Sequence, residues 1–509
     1  MTQSPSRNSE RIERLGLDDS NKPIIRILLY TDDPNGITAT TDLFGLSRMI
    51  DHIKTHLPEF ADISTTWMSR YSRRQDVADN KLTRDLLNQF DEIWFFGLHH
   101  LKLDRFSAIL GGGPESELDP EEIAVLQEWM SAAGNNSRGG GVLMTGDHAN
   151  RRDPFPVGSP AVDPCNRTEP EEFFGLGRAL GQRVPRAGQL RKWEGPPTSC
   201  KKDSFNTQAP KQGIDIDSLR LQIDRVPQQL ILRTFSETGD PMPGGRPHPL
   251  FFFKGDSMIE VFPDHAHEGA IIIPAEFDEE IWPKVKGVQP KPQVVASGID
   301  KRNARLLDLV AAYNGDSANV GRIVADSTWH HYLNINLTQF QPPATEGSAA
   351  DQIGQFYANL ALWLSPRTIR VAMAHEMLSR LANHPMVLQE IGGNVVDVGR
   401  AGYSLVSRRA SPCEIHELIQ AAVPGKYRER FETMSFPATG VNLGLLPSTQ
   451  LILGCTIEWI QREIARVDSL KDSEPPRVAN AIESGFHHAF NTHAAILTET
   501  ASQAKRLIS

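Results

Sequence analysis

The chain has 509 residues, of which 39% are hydrophobic and 23% charged, and its formal net charge is −10. This length exceeds what one hydrophobic core normally supports, so two or three domains are expected. The acidic balance argues against a chain-wide nucleic-acid surface, and no apolar stretch approaches the roughly 20 residues that cross a bilayer. With few, widely spaced cysteines and no predicted signal peptide, the sequence predicts a cytoplasmic protein without nucleic-acid or membrane partners.

The first third of the chain alternates strand and helix signals. Residues 1–22 are polar and are expected to be disordered. A β-branched run at residues 24–30 predicts a buried first strand, and helical spacing follows at 43–56. Further strands are expected at 90–97 and 142–145, separated by a helix that Asp119 and Pro120 should begin. Strand, helix and strand at this spacing predict a parallel sheet.

The amino-acid composition changes between residue 151 and about residue 246, where Pro, Gly, Arg and Lys are frequent. We predict a loop-rich insertion that lies as a lid over the carboxyl end of the sheet. Beyond the insertion, the apolar patterns predict further strands and helices. Strands are expected at 249–253, 258–262, 293–296 and 321–327, and helices at 300–313, 349–364, 445–467 and 476–507.

These signals divide the chain into three parts. We predict a disordered tail over residues 1–22, an α/β domain over 23–366 that contains the insertion at about 151–246, and a helical domain over 367–509. The helical domain is a natural place for contacts between copies of the chain, so a homo-oligomer is expected, although a fold class does not itself give a function.

Four strand-like runs end in histidine with acidic or amide neighbours. Histidine is the commonest metal ligand and the usual general base near neutral pH. Ligands of open α/β sheets bind outside the carboxyl ends of the strands, so neighbouring runs would bring these side chains to one crevice. The alternative is that each histidine caps its own strand. The residues in the four runs are His99, His100, Asp147, His148, Asp264, His265, His267, Glu268, Asp326, His330 and His331.

The segment from Asp264 to Glu268 has the strongest metal-binding pattern. In extended backbone, alternate residues share a face, so His265 and His267 would point the same way. Asp264 could complete the ligand set, and Glu268 could act as a base. Because imidazole dominates, Zn, Mn or Fe is favoured over Mg. A polar turn without metal is the alternative, and no nucleotide cofactor is predicted.

The loop after the first strand carries Asp32 and Asp33. It supplies too few oxygens for a hard cation such as calcium. Because the loop follows a strand of the sheet, we expect both aspartates to line the crevice as substrate-binding residues, together with His99 and His100. A plain turn is the alternative.

Several of these segments resemble the class I glutamine amidotransferase-like superfamily and, within it, the ThuA-like (trehalose-utilisation) branch. They are residues 91–97, 139–148, 321–330 and 357–364. The resemblance covers about residues 23–366 without the insertion and implies a flavodoxin-like three-layer α/β sandwich with a mostly parallel sheet. It places His330 or His331 where the family has its catalytic histidine.

The chain departs from this family at the nucleophile. Where the family has a cysteine at a sharp strand-to-helix turn, this chain has Gly146, Asp147 and His148. A thiolate nucleophile needs a base within hydrogen-bond reach, and Cys165 lies well downstream in a Pro-rich segment. Glutamine hydrolysis through cysteine is therefore not expected.

The sequence favours a hydrolase-like or lyase-like enzyme that acts on a small polar substrate, such as a sugar or nucleotide derivative. The chemistry would use either metal-activated water or a His–Asp general base. The alternative is a catalytically inactive amidotransferase-like module for binding or assembly, which oligomerises through the helical domain. Convergence of the histidines would distinguish the two. The predicted catalytic residues are Asp147, His148, Glu268, His330 and His331.

Overall fold

The computed structural model describes about three fifths of the chain. The predicted tail and most of the predicted insertion lie outside the described residues, so those two predictions are not tested. The described residues are 22–31, 37–70, 80–96, 120–132, 139–145, 227–235, 246–254, 257–263, 271, 273, 279, 282–285, 287, 289–299, 306–340, 342–408, 410, 412–427, 431, 445–468 and 478–508.

A nine-stranded sheet forms the centre of the α/β part, in the order β2-β1-β3-β4-β11-β10-β9-β5-β8. A separate two-stranded sheet pairs β6 with β7. The strands are β1 Ile24–Thr31, β2 Asp62–Ser69, β3 Glu92–Phe96, β4 Gly141–Thr145, β5 Gln228–Leu232, β6 Thr234–Phe235, β7 Arg246–Pro247, β8 Val261–Phe262, β9 Gln293–Ile299, β10 Leu306–Tyr313 and β11 Ile323–Asp326.

The sheet has a parallel half and an antiparallel half. Strands β1, β3, β4 and β11 are parallel neighbours, which confirms that prediction, and β2 adds a fifth parallel strand beside β1. From β11 through β10, β9 and β5 to β8 every pairing is antiparallel. The described sheet is therefore mixed, and the expectation of a mostly parallel sheet is not met.

The helix predicted at residues 300–313 is wrong, because β10 occupies Leu306–Tyr313. Its Leu and Ala residues favour a helix by intrinsic propensity, but the segment is buried on both faces between β9 and β11. The connection from β9 to β10 is too short for the crossover that a parallel pair requires, so the two strands pair antiparallel. Tertiary context overrides local propensity here.

Three other expectations at the antiparallel side need correction. The end of the predicted insertion, Gln228–Leu232, is strand β5 of the main sheet rather than part of a lid. The strand predicted at 249–253 is instead the 3₁₀ helix Pro249–Phe251, where His248 accepts a hydrogen bond from the Leu250 N–H at 3.2 Å. The strand predicted at 258–262 is limited to Val261–Phe262.

Helices cover both faces of the sheet, and the predicted helices at 349–364, 445–467 and 476–507 are confirmed within a residue or two. A helix from Pro120 is also confirmed. The helices are α1 Ser47–His56, α2 Arg84–Leu87, α3 Pro120–Met130, α4 Ala349–Leu364, α5 Arg367–Asn383, α6 Pro385–Glu390, α7 Val395–Val406, α8 Pro412–Ala422, α9 Leu445–Asp468 and α10 Val478–Ile508.

Alternating side chains of the strands enter two hydrophobic cores. On β1, Ile27 and Leu29 join a large core with α1 and α4, whereas Leu28 and Tyr30 join a smaller core with α3. The large core continues without interruption into the C-terminal helices. The boundary predicted near residue 366 therefore stays a prediction, since the described parts share one core. No described helix has the length and apolar character needed to cross a membrane.

A buried ionic cluster joins the sheet to the C-terminal helices. Arg322, directly before β11, is only 3% exposed and bonds Glu417 of α8 at 2.7 Å and Asp316 at 3.1 Å. It also donates to the Trp363 carbonyl at 3.0 Å. Arg370 of α5 pairs with the same Asp316. Burial opposes ionisation of Asp316, but Arg322 and Arg370 lower its pKa to about 2. Asp316 is therefore ionised near neutral pH, and ion pairs connect the sheet to the C-terminal helices.

Helices α1 and α4 approach each other closely at Gly354, where a Cβ atom would overlap the rings of His52 and His56. His56 contacts the Asp351 carboxylate at 3.0 Å. His52 is fully buried and its Nε2 contacts the Phe340 carbonyl. Burial lowers the pKa of His52 to about 4, against the 6.5 of a free histidine, although the Phe340 contact opposes the shift.

This buried histidine predicts an acid-sensitive stability. Between pH 6.5 and 4 the unfolded imidazole takes up a proton that the folded one resists, so the free energy of unfolding should fall by roughly 2–3 kcal/mol as pH decreases. Urea unfolding at pH 7.0 and pH 4.5 measures this loss. His52→Gln keeps a donor toward Phe340 but does not titrate, and should show a correspondingly smaller difference. Equal pH dependence in both proteins would refute the assignment.

Candidate functional site

The candidate site lies at the carboxyl end of β11. Asp326 is the last residue of the strand and is fully buried. Because side chains alternate along a strand, Asp326 shares the face of Val324 and the large core. The chain then turns into the 3₁₀ helix Trp329–Tyr332, whose first turn is capped by Thr328 Oγ1 accepting from the His330 N–H at 3.1 Å. This capped turn returns His331 to Asp326.

The Asp326 carboxylate and the His331 imidazole form a buried pair. His331 Nδ1 lies 2.9 Å from Oδ1 and 3.0 Å from Oδ2 of Asp326, and the two side chains are 1% and 0% exposed. The carboxylate also accepts from the Thr328 N–H at 3.1 Å and the Tyr332 hydroxyl at 2.9 Å. An ionised carboxylate can only accept hydrogen bonds, so a contact of this kind places a His331 proton on Nδ1.

The other ring nitrogen of His331 is the candidate functional feature. Nε2 is buried and has no hydrogen-bond partner among the described residues. In the neutral ring with its proton on Nδ1, Nε2 presents a lone pair. A buried polar atom without a partner costs free energy in a folded protein, so it indicates a place where water or a ligand atom binds.

Aromatic side chains enclose the pair. The Tyr357 hydroxyl of α4 donates to the His331 carbonyl, and the Phe262 ring lies 4.6 Å from the His331 ring. Tyr332 packs 5.5 Å from Phe96 at the end of β3. Burial, and then the charge of Asp326, raises the pKa of both Tyr332 and Tyr357 well above the usual value. Both hydroxyls are therefore protonated donors near neutral pH.

The edge strand β8 directs its carboxyl end to the same side as β11. Four successive antiparallel pairings separate the two strands, so they run in the same direction. Phe262, the last residue of β8, contacts His331 directly. The predicted metal segment begins two residues later in the chain, but its residues lie outside the described part.

Of the site residues predicted from the sequence, only His330 and His331 lie among the described residues. His331 is the one that contacts Asp326, whereas the partly exposed His330 lies with its ring 4.1 Å from that of Trp329. The convergence of His148, His265 and His267 with His330 is therefore not tested. The predicted residues outside the described part are Asp32, Asp33, His99, His100, Asp147, His148, Asp264, His265, His267 and Glu268.

Three residues of this site were not assigned a role from the sequence. Asp326 was recognised only as part of a strand-end run, although the signal was present, since an acid ends the strand and a Thr-capped turn precedes His331. Tyr332 was not singled out within that same turn. Nothing in the sequence indicated Tyr357, because its contact with His331 comes from the packing of α4 on the sheet.

Metal binding and family membership remain predictions. Among the described residues, no group of three or more His, Cys, Asp or Glu is placed to hold a metal ion, and the predicted ligands Asp264, His265 and His267 lie elsewhere. Comparisons of the chain with protein-family models, with curated proteins and with solved structures found no match in any of the three. The chemistry of the site itself is therefore the basis for a function.

Proposed function

We propose that the protein is a hydrolase-like or lyase-like enzyme in which His331 is the general base and Asp326 orients it. The observation that carries this proposal is the buried pair in which His331 Nε2 has no hydrogen-bond partner among the described residues. Nε2 would take a proton from water or from a substrate hydroxyl. Asp326 would hold the ring with Nδ1 protonated and stabilise the imidazolium that forms.

The surroundings suit this role. Asp326 is fixed by hydrogen bonds from Thr328 and Tyr332, so it does not need to reorganise when His331 becomes charged. The Phe262 ring packs against the His331 ring, and the pair is buried; charges interact more strongly in such an environment than in water. The proposed substrate is a small polar molecule, such as a sugar or nucleotide derivative.

We extend the proposal to the fold family. The five parallel strands have the order β2-β1-β3-β4-β11, which corresponds to the 2-1-3-4-5 order of flavodoxin-like sheets. His331 follows the fifth of these strands, which is where the amidotransferase-like, ThuA-like resemblance places a catalytic histidine. The direction of β8 is compatible with a Zn, Mn or Fe site at Asp264, His265 and His267 near the same edge. Association of copies through the helical part also belongs to this proposal.

A substrate screen tests the function. The purified protein is assayed with p-nitrophenyl esters, glycosides and phosphates, after chelation and after addition of Zn²⁺, Mn²⁺ or Fe²⁺. We expect turnover of at least one substrate class, lost in His331→Gln and retained in the matched neighbour variant His330→Gln. Turnover that survives in His331→Gln would contradict the assigned base. Absence of turnover in every arm would favour the inactive binding or assembly module.

A further inference from the structure

A groove lies far from the candidate site, between the α/β part and the helical part. It has a volume of about 320 Å³, at the lower end of the roughly 300–1,000 Å³ typical of small-molecule pockets. Its α/β wall is the turn between α1 and β2, which places it at the amino edge of the parallel strands, opposite Asp326. The apolar lining consists of Pro58, Phe60, Met377, Leu381, Leu405 and Val406.

The walls of the groove are already formed. In the turn, the Leu57 N–H donates to the Ile53 carbonyl at 2.9 Å and the Ala61 N–H donates to the Pro58 carbonyl at 3.1 Å. Phe60, Met377 and Leu381 are each no more than 5% exposed and belong to the large core. A ligand would therefore meet a fixed apolar floor, and little ordering of the protein would oppose its binding.

Nitrogen donors dominate the polar rim. His384 Nδ1 accepts the Met386 N–H at 3.2 Å as the cap of α6, so in the neutral ring the proton is on Nε2. Arg408 is exposed and forms no ion pair with the described residues, whereas Arg380 pairs with Glu376 at 2.6 Å. Glu59 is the acidic rim residue. The rim thus offers an imidazole N–H and the guanidinium of Arg408 to an anion, with Glu59 opposing it.

We propose that this groove binds a small anionic amphiphile, namely a carboxylate on a short alkyl chain. The alkyl chain would lie on Phe60, Met377 and Leu381, and the carboxylate would lie at the rim beside His384 and Arg408. Such a ligand complements the groove. Its alkyl chain matches the apolar floor of limited volume, and its carboxylate matches the imidazole N–H and the guanidinium at the rim. This site is independent of the proposed catalytic function, because it uses none of the same residues and lies at the opposite edge of the sheet.

Isothermal titration calorimetry of the full chain tests the proposal, with octanoate, octanol and octylammonium each below its micelle concentration. Octanoate should bind saturably at one site, more tightly than octanol, and octylammonium should bind most weakly. Arg408→Gln should weaken octanoate binding by about threefold to fivefold, as expected for a partly exposed ion pair. Glu59→Gln should strengthen it, because a like charge is removed from the rim. Arg462→Gln, which changes an exposed arginine away from the groove, should have no effect.

Leu405→Trp provides a further test, since the larger side chain should fill the groove and abolish binding. An unchanged melting temperature shows that this variant folds. The proposal is overturned if octanoate does not bind saturably, if octylammonium binds more tightly than octanoate, or if Arg408→Gln and Glu59→Gln both leave the affinity for octanoate unchanged.

Discussion

Asp326→Asn is expected to lower the rate of the proposed reaction by roughly 10²–10⁴-fold, the range that general acid–base catalysis contributes. The asparagine amide would present an N–H group to His331 Nδ1 in place of a carboxylate oxygen. The imidazole would then be stabilised with its proton on Nε2, and the lone pair that accepts the substrate proton would be lost. Substrate binding should change much less than turnover, because Asp326 is buried behind the ring.

The assay compares kcat and KM of wild type, Asp326→Asn, His331→Gln and the double variant, with His330→Gln as the control. Because the two residues act as a unit, the double variant should be about as impaired as either single variant. Unfolding curves for each protein show whether a loss of rate reflects a loss of fold. A rate within threefold of wild type for folded Asp326→Asn would remove Asp326 from the mechanism.

Glu417→Gln is expected to lower the free energy of unfolding by about 3 kcal/mol, which is the low end of the cost of breaking a buried ion pair. Without the Glu417 charge, the guanidinium of Arg322 stays buried and loses one of its two ion pairs with described residues, while it shares the other partner, Asp316, with Arg370. The glutamine keeps the shape of the side chain, so the loss reports charge rather than a cavity. Denaturant unfolding of the full chain measures it.

The matched control for this variant is Asp397→Asn. Asp397 pairs with Arg400 at 2.8 Å on the surface of α7, and both side chains are well exposed. An exposed pair of this kind contributes between about 0 and 1 kcal/mol. If Glu417→Gln loses no more stability than Asp397→Asn, the buried cluster does not hold the helical part to the sheet.

The fold was predictable wherever local and tertiary signals agree. The β-branched runs that form β1 and β11 are short, buried and bounded by turn residues. Helix α4 follows the N-cap Ser348, whose hydroxyl accepts from the Asp351 N–H at 3.3 Å. The failure at Leu306–Tyr313 has the opposite cause. A strand buried on both faces shows no alternation, and its Leu and Ala content imitates a helix.

The site was only partly predictable for a similar reason. A histidine at the end of a strand is visible in the sequence, and this pattern predicts His330 and His331 without choosing between them. The turn capped by Thr328 determines that the ring of His331, and not that of His330, faces Asp326. The enclosure by Tyr357 and Phe262 depends on helix packing and on the position of β8, and neither has a local signature.

The most direct test of the central claim is the protonation state of His331 in the resting protein. Selective ¹⁵N-histidine labelling, with the His331 signals assigned by their loss in His331→Gln, distinguishes the two neutral tautomers and the imidazolium in long-range ¹H–¹⁵N spectra at pH 7. We expect the wild-type ring to be protonated only on Nδ1. In Asp326→Asn the ring should shift toward the Nε2-protonated tautomer. An Nε2-protonated or doubly protonated His331 in wild type would leave no lone pair on Nε2 and would contradict its assignment as the general base.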